Sequence, residues 1–492
     1  MSPLAGLALT AILLLIYALA LRVVWHKPFR ALGILVAGMS IHNLVLMILL
    51  RLDTPGLAVR IVQSWKEGIL LLLLGFVLAR GVASWRGGQR PQLLLIDWVM
   101  LAFTALVLVY FVLPDAVTGG HASLTQRLLG ARVLLLLPLL YLFGRVFFTT
   151  DRADLVWNLT FVGGSAALVS VAGLLELWLV PTRTWVDAGA NLLSAWFGFH
   201  YHGPAGLPEN FFQSAGPGFY LRRMVSTYVS PLPIAYTGVL IVHLSVTLLV
   251  HSGRDRYRLL RAGILILLVT GIIFSITRLA MILVVLEFAL LAAIWRRWWL
   301  VIATALVTLS VGAAFYGYPH VGPLVTADAR SVVHRPSQLG ILSQNDPSAA
   351  EHSATLAQDL QYVLQHPLGA GVGTSINRFG QAPGTGESAL FDIFGEIGFL
   401  GGVLYMAAYG LVLIYGLRAW RRFRGDPLLS ALAMVSLVGA LALGPITATS
   451  DVWSEFTVTF LLWWAAGFTV SLANSRQAAT TQLTPKLRRR SA

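Results

Sequence analysis

Ser275-Ile276-Thr277-Arg278 interrupts an apolar stretch running from about Ile264 to Trp295, so a guanidinium stands in a tight reversal between two hydrocarbon-length segments. An unpaired arginine at such a boundary costs at least about 2.5 kcal/mol on insertion scales. It is either an interfacial residue that snorkels to lipid phosphate or a ligand for a pyrophosphate group. Arg223 closes a segment rich in aromatic residues and precedes Ser226-Thr227-Tyr228 and the helix-breaking Pro231 and Pro233. It is either a rim charge or a second anion ligand. Arg132 lies a little inside an apolar segment, and if buried it needs a partner.

Acids and histidines gather later in the chain, at His334, Glu351, His352, His366, Glu387, Asp392 and Glu396. No HxxxH, HExxH or DxD spacing links them, so no metal site is expected. Glu387-Ser388 comes immediately before an apolar run containing Glu396, Gly398, Gly401 and Gly402. Glu387 serves either as an acid at a helix start or as a general base taking the proton of an acceptor hydroxyl. Gly369-Ala370-Gly371-Val372-Gly373 superficially matches a dinucleotide fingerprint, but no βαβ unit can surround it. It reads as a turn where side chains must be absent.

The elements that position these residues follow from composition. The 492 residues are 57% hydrophobic and 11% charged, with mean hydropathy +0.76, against roughly 25% charged residues in ordinary soluble domains. Apolar runs of hydrocarbon-spanning length recur along the chain, and in lipid only helices or closed barrels satisfy their own backbone. The fold class is therefore an all-α polytopic membrane protein, a bundle of about 12–13 transmembrane helices. Spans are expected near 4–24, 31–50, 67–85, 93–113, 128–149, 155–179, 231–251, 259–275, 279–295, 299–317, 389–417, 428–447 and 453–474. The first is expected to be a retained span, because it lacks the basic start and small-residue cleavage site of a signal peptide. The absence of cysteine excludes disulfides and thiolate chemistry.

The net charge of +14 reflects basic loops flanking spans and not nucleic-acid binding. Seven basic clusters, from Arg22/Lys27/Arg30 to the tail Arg476 to Arg490, all fall on the cytoplasmic side if the N-terminus is outside. Twelve of the 35 cations remain on the outer side: Arg51, Arg60, Lys66, Arg127, Arg132, Arg183, Arg222, Arg223, Arg278, Arg330, Arg335 and Arg378. The positive-inside rule does not explain them, and something anionic should compensate them. Two outer segments are long, about 180–230 and 318–388. The second is too long to lack structure, and within it Glu351–Gln365 reads as an amphipathic helix with Leu356, Leu360, Val363 and Leu364 on one face. The organisation expected is one transmembrane domain over 1–474 and a basic cytoplasmic tail over 475–492.

At these residues the sequence resembles the O-antigen ligase and polysaccharide polymerase family of bacterial membrane glycosyltransferases. Arg223-Met-Val-Ser-Thr-Tyr with Pro231 is similar to the family's Arg-x-x-Gly-Thr-Phe and Asn-Pro. Ser275-Ile-Thr-Arg278 resembles its Ser-Arg element. His366-Pro-Leu-Gly-Ala-Gly-Val-Gly373, Glu387-Ser and Glu396-Ile-Gly-Phe-Leu-Gly401 resemble its Pro-x-Gly-x-Gly turn, catalytic-loop motif and Glu-x-Gly-x-x-Gly helix. The resemblance covers roughly residues 200 to 420. It implies a metal-independent, cofactor-free, inverting transfer from an undecaprenyl-pyrophosphate-linked glycan to a glycan acceptor, at the outer face of a bacterial cytoplasmic membrane. Membrane lipids and other polysaccharide-assembly proteins are the implied partners.

On this resemblance Arg223 and Arg278, with Arg132 or Lys66, hold the pyrophosphate, and Glu387 or else His352 activates the acceptor. Family ligases carry a histidine where this chain has Glu387, so polymerisation is favoured over ligation onto lipid A core or another acceptor. A flippase or other transporter of lipid-linked oligosaccharide is the reading of a different class. It would show two related halves, and no such repeat is seen in the sequence.

Overall fold

The computed structural model describes residues 3–88, 92–198, 203–216, 219–253, 255–325, 347–375 and 387–475. Arg90, Arg254, Arg330, Arg335, Arg378, His334 and the basic tail from Arg476 lie outside these residues.

Four long helices open the chain around one short one: α1 (Pro3–His26), α2 (Ala31–Arg51), α3 (Gly56–Gln63, short), α4 (Trp65–Arg86) and α5 (Leu95–Val112). The single turn α6 (Asp115–Thr118) leads to α7 (Leu124–Val146) and α8 (Arg152–Leu179). The aromatic segment then folds as α9 (Thr182–Ala188), α10 (Ala190–Trp196) and a hairpin of β1 (Phe212–Gly216) with β2 (Phe219–Arg222). The strands pair antiparallel, Phe212 opposite Arg222, with a bulge after Ser214. Next come α11 (Pro231–Val250), α12 (Arg258–Phe274), α13 (Arg278–Trp295) and α14 (Trp298–Val325). The chain continues with α15 (Pro347–Gln365), α16 (Ala389–Phe423), α17 (Pro427–Met434), α18 (Ala440–Thr449) and α19 (Phe456–Asn474), a π-helical turn at Val435–Gly439 joining α17 to α18.

Twelve of these helical stretches are long and apolar enough to cross a membrane, α17 and α18 counting as one. The chain is thus an all-α, multi-pass membrane protein. The apolar helix α12, with 17 residues, is about 25 Å long and packs mainly on α11 and α8. Burial grades the bundle from the inside outward: 83% of the span window is buried in α11 and in α19, against 11% in α1 and in α4. Trp463, Trp464, Phe460 and Phe468 of α19 sit in the centre, each no more than 1% exposed.

Charge distinguishes the two ends. At the basic end, cations close on acids of neighbouring helices, as in Arg30–Asp154 (2.8 Å) and Arg145–Asp97 (2.9 Å). The opposite end, here the loop end, carries α3, α9, α10, the hairpin and α15. Helix α14 runs eight residues beyond the expected end at 317. Helix α15 confirms the expected amphipathic helix but turns it differently. Asp359 and Val363 are buried and His352, Leu356 and Tyr362 half-buried, whereas Leu360 and Leu364 point outward. The contact with α16 selects the face that carries His352, which an apolar count does not find.

Candidate functional site at the loop end

The glycine-rich stretch is a tight turn, as its composition requires. Gly369, Gly371 and Gly373 have φ of +81°, +103° and +89°, values open to glycine and costly for other residues. The turn docks on a break in α16, where Ile397 and Gly398 leave helical geometry. Ala370 N donates to Gly395 O (2.7 Å), Gly371 N to Glu396 O (2.9 Å) and Phe399 N to Pro367 O (2.9 Å). Turn and break thus satisfy each other's unpaired backbone groups. The Glu396 carboxylate accepts from Ser375 Oγ and, at 3.3 Å, from Ser375 N, tying down the far end of the turn. These bonds explain why the Pro-x-Gly-x-Gly and Glu-x-Gly patches occur together.

Glu387 stands just before α16, whose N-cap is Ser388, with Ser388 Oγ accepting from Phe391 N at 3.2 Å. Its carboxylate is hydrogen-bonded to Nδ1 of His352 on α15. That bond holds the His352 imidazole above its usual pKa, against the pull of partial burial and of nearby Arg278. Arg278, first residue of α13, also acts on Arg223. Burial draws the Arg223 guanidinium down to about 10, with Tyr236 opposing and Arg278 reinforcing the shift. Glu387, His352, Arg278 and Arg223 therefore share one neighbourhood at the loop end.

Arg223 is 8% exposed. Its Nε donates to Ser275 O (2.7 Å) and a terminal nitrogen to Thr277 Oγ1 (2.9 Å). Met224 N adds a bond to Phe274 O (3.0 Å). Arg223 thus clamps the reversal between α12 and α13, in which Ile276 has a positive φ of +48°. The preceding arginine, Arg222, pairs with Glu176 of α8 at 2.6 Å.

A cavity of about 630 Å³ opens at this end. Lys66 and Arg132 line one side with His42, Asn43 and Gln63; Glu387, Asp392, Glu396, Asp451 and Glu455 also line it. Lys66, only 3% exposed, and Arg132 lie over the Phe456 ring at 5.4 and 4.7 Å. Burial, with Asp451 nearby, pushes the Glu455 carboxyl up to about 8, so at neutral pH it holds a proton and can donate a hydrogen bond. The cavity therefore presents basic side chains, several carboxyl groups and, in Glu455, a neutral carboxylic acid. Among the described residues no three His, Asp or Glu side chains converge as metal ligands would.

Of the sequence-derived candidates, Lys66, Arg132 and Glu387 line this cavity; His352, Arg278 and Arg223 lie outside the lining. The expectation that something anionic compensates the outer cations is met from within the chain for several of them. Arg132 pairs with Glu67 (2.7 Å), Arg222 with Glu176, and Arg127 with Asp115. Sequence reading missed Asp451 and Glu455 altogether. Their signal was their place in a short connection between the last two spans, in a chain with only 21 acids. It also missed Glu176, which an acid inside an apolar run should have flagged. No protein-family model and no curated protein matches this chain.

Proposed function

We propose that this protein is a membrane glycosyltransferase that joins isoprenoid-pyrophosphate-linked oligosaccharide units, the undecaprenyl carrier being the one the sequence resemblance implies. The observation that carries the reading is Glu387, which lines a cavity shared with Lys66 and Arg132 while holding His352, itself near Arg278. The acceptor hydroxyl attacks the anomeric carbon, the bond from that carbon to the pyrophosphate oxygen breaks, and the pyrophosphate departs with the electron pair. Glu387 takes the acceptor proton. His352, hydrogen-bonded to Glu387, keeps that carboxylate aimed. Cations meet the charge that develops on the leaving group, Lys66 and Arg132 from the cavity wall and Arg278 from near His352. Arg223 acts through the reversal it clamps.

In reconstituted membranes supplied with a lipid-pyrophosphate-linked repeat unit, Arg278→Ala and Glu387→Gln should stop chain growth while the protein still inserts. Polymer of normal length from either variant would defeat the assignment. Polymer remaining on the carrier lipid supports polymerisation, and polymer on a new acceptor supports ligation.

One observation favours the transporter reading. His243 of α11 and Glu287 of α13 lie 3.5 Å apart inside the bundle, both almost fully buried, as ionisable groups on a translocation path would be. Neither lines the cavity. Loss of lipid-linked glycan translocation into vesicles in Glu287→Gln, with polymer length unchanged, would favour transport over transfer.

A further inference from the structure

A second depression of about 320 Å³ adjoins the main cavity and shares Lys66, Arg132 and Phe456 with it. Its walls are apolar: Leu70 and Leu74 from α4, Leu135 and Leu139 from α7, and Phe460 from α19. All three helices start at the loop end, so these residues lie one and two turns further into the membrane than the cations. From Lys66 to Leu74 the descent is about 12 Å at 1.5 Å per residue. Leu71, on the same wall, is 68% exposed, so the groove opens sideways to the bilayer.

The head of the groove is polar and positive. Lys66 Nζ donates to Gln63 O (3.0 Å) and stands 3.5 Å from Glu67 Oε1, the same oxygen that Arg132 reaches at 2.7 Å. One carboxylate thus faces two cations, leaving a net positive charge where groove and cavity meet. An amphiphile with an anionic head and a long apolar tail matches this layout, the head against Lys66 and Arg132 and the tail along the leucines.

We infer that the groove between α4, α7 and α19 seats the isoprenoid tail of a polyprenyl pyrophosphate, with its head at Lys66 and Arg132. This rests on the transferase reading for the identity of the lipid. A tail already in hydrocarbon gains little from apolar contact with protein. The cations supply the affinity, and the groove selects tail shape and points the pyrophosphate into the cavity beside Glu387. The donor reaches the site sideways from the bilayer, and the main cavity stays open for the sugar and acceptor.

The test uses full-length protein in nanodiscs and a sugar-free decaprenyl pyrophosphate carrying a photoreactive group near its head, so that binding is read without turnover. Wild-type protein should crosslink at the Leu70–Leu74 and Leu135–Leu139 segments, in competition with unlabelled polyprenyl pyrophosphate and not with phosphatidylglycerol. Leu74→Trp and Leu139→Trp should weaken probe binding at least about tenfold while keeping the wild-type melting temperature. Should either variant fail to fold, the wild-type crosslink map alone decides. Competition by phosphatidylglycerol would make the groove an ordinary lipid contact and overturn the inference. Crosslinks confined to other helices in a protein that still extends polymer would also overturn it, leaving the transferase reading intact. Absence of both crosslinking and polymer synthesis would remove the two together.

Discussion

Replacement of Glu176 by Gln tests how the loop end is held together. Glu176 sits at the last turns of α8 and accepts from Arg222 (2.6 Å), from Trp185 Nε1 (2.9 Å), and at longer range from Val225 N (3.3 Å) and Ser226 N (3.4 Å). One carboxylate therefore fastens α9, the end of the hairpin and the segment after Arg223 to the bundle. The Arg222 and Glu176 side chains are 7% and 8% exposed, and breaking a buried pair by removing one partner costs about 3–5 kcal/mol. A glutamine keeps one acceptor oxygen, but its amide would set a donor against the Val225 and Ser226 N–H groups. The loss should therefore lie within that range. Unfolding in mixed micelles, titrated with a denaturing detergent, measures it. A double-mutant cycle with Arg222→Met should give a coupling of about 2–3 kcal/mol, at the upper end for contacting residues. A loss below about 1 kcal/mol with negligible coupling would refute the view of Glu176 as the fastening point. Activity in Glu176→Gln should fall with stability, because the segment it holds leads into Tyr228 and Ser230 of the cavity wall.

Other expectations concern protons and backbone. The Glu455 carboxyl, raised to about 8 when folded, keeps its proton between about pH 4.5 and 8 while the unfolded chain has released it. Stability should thus decline as pH rises through that window, by at most roughly 5 kcal/mol at 1.36 kcal/mol per pH unit. Glu455→Gln should flatten the decline in melts at pH 5 and pH 8; an unchanged slope would refute the assignment. His352, its pKa raised by the bond to Glu387, keeps its proton to higher pH than a free imidazole before losing it. Under the proposed mechanism wild-type activity falls on the alkaline side, and His352→Asn, slower throughout, should lose that limb in a pH–rate profile. At Gly373, φ is +89° and a Cβ would stand 2.3 Å from the Gln126 carbonyl oxygen. Gly373→Ala should destabilise by at least about 1–3 kcal/mol of backbone strain and abolish activity. Gly410→Ala, in open space, should stay within about 1 kcal/mol.

Sequence alone determined what depends on local chemistry. The membrane bundle, the span positions, the turn at Gly369–Gly373, the reversal before Arg278 and the helix ending at Gln365 were legible. Each follows from hydrophobic runs, from glycines or from helical periodicity, which act over a few residues. Tertiary structure decided which side chains meet. Glu387 reaches His352 across 35 residues. Arg132 finds Glu67, 65 residues away. Arg223 spends its donors on the turn at Ser275–Thr277, where sequence context left it as either a rim charge or an anion ligand. Asp451 and Glu455 join the cavity only because α19 returns to the centre of the bundle. Pairing between distant charges depends on how a dozen helices pack, and packing is set by side-chain shape over the whole bundle, to which a one-dimensional pattern of apolar runs is blind.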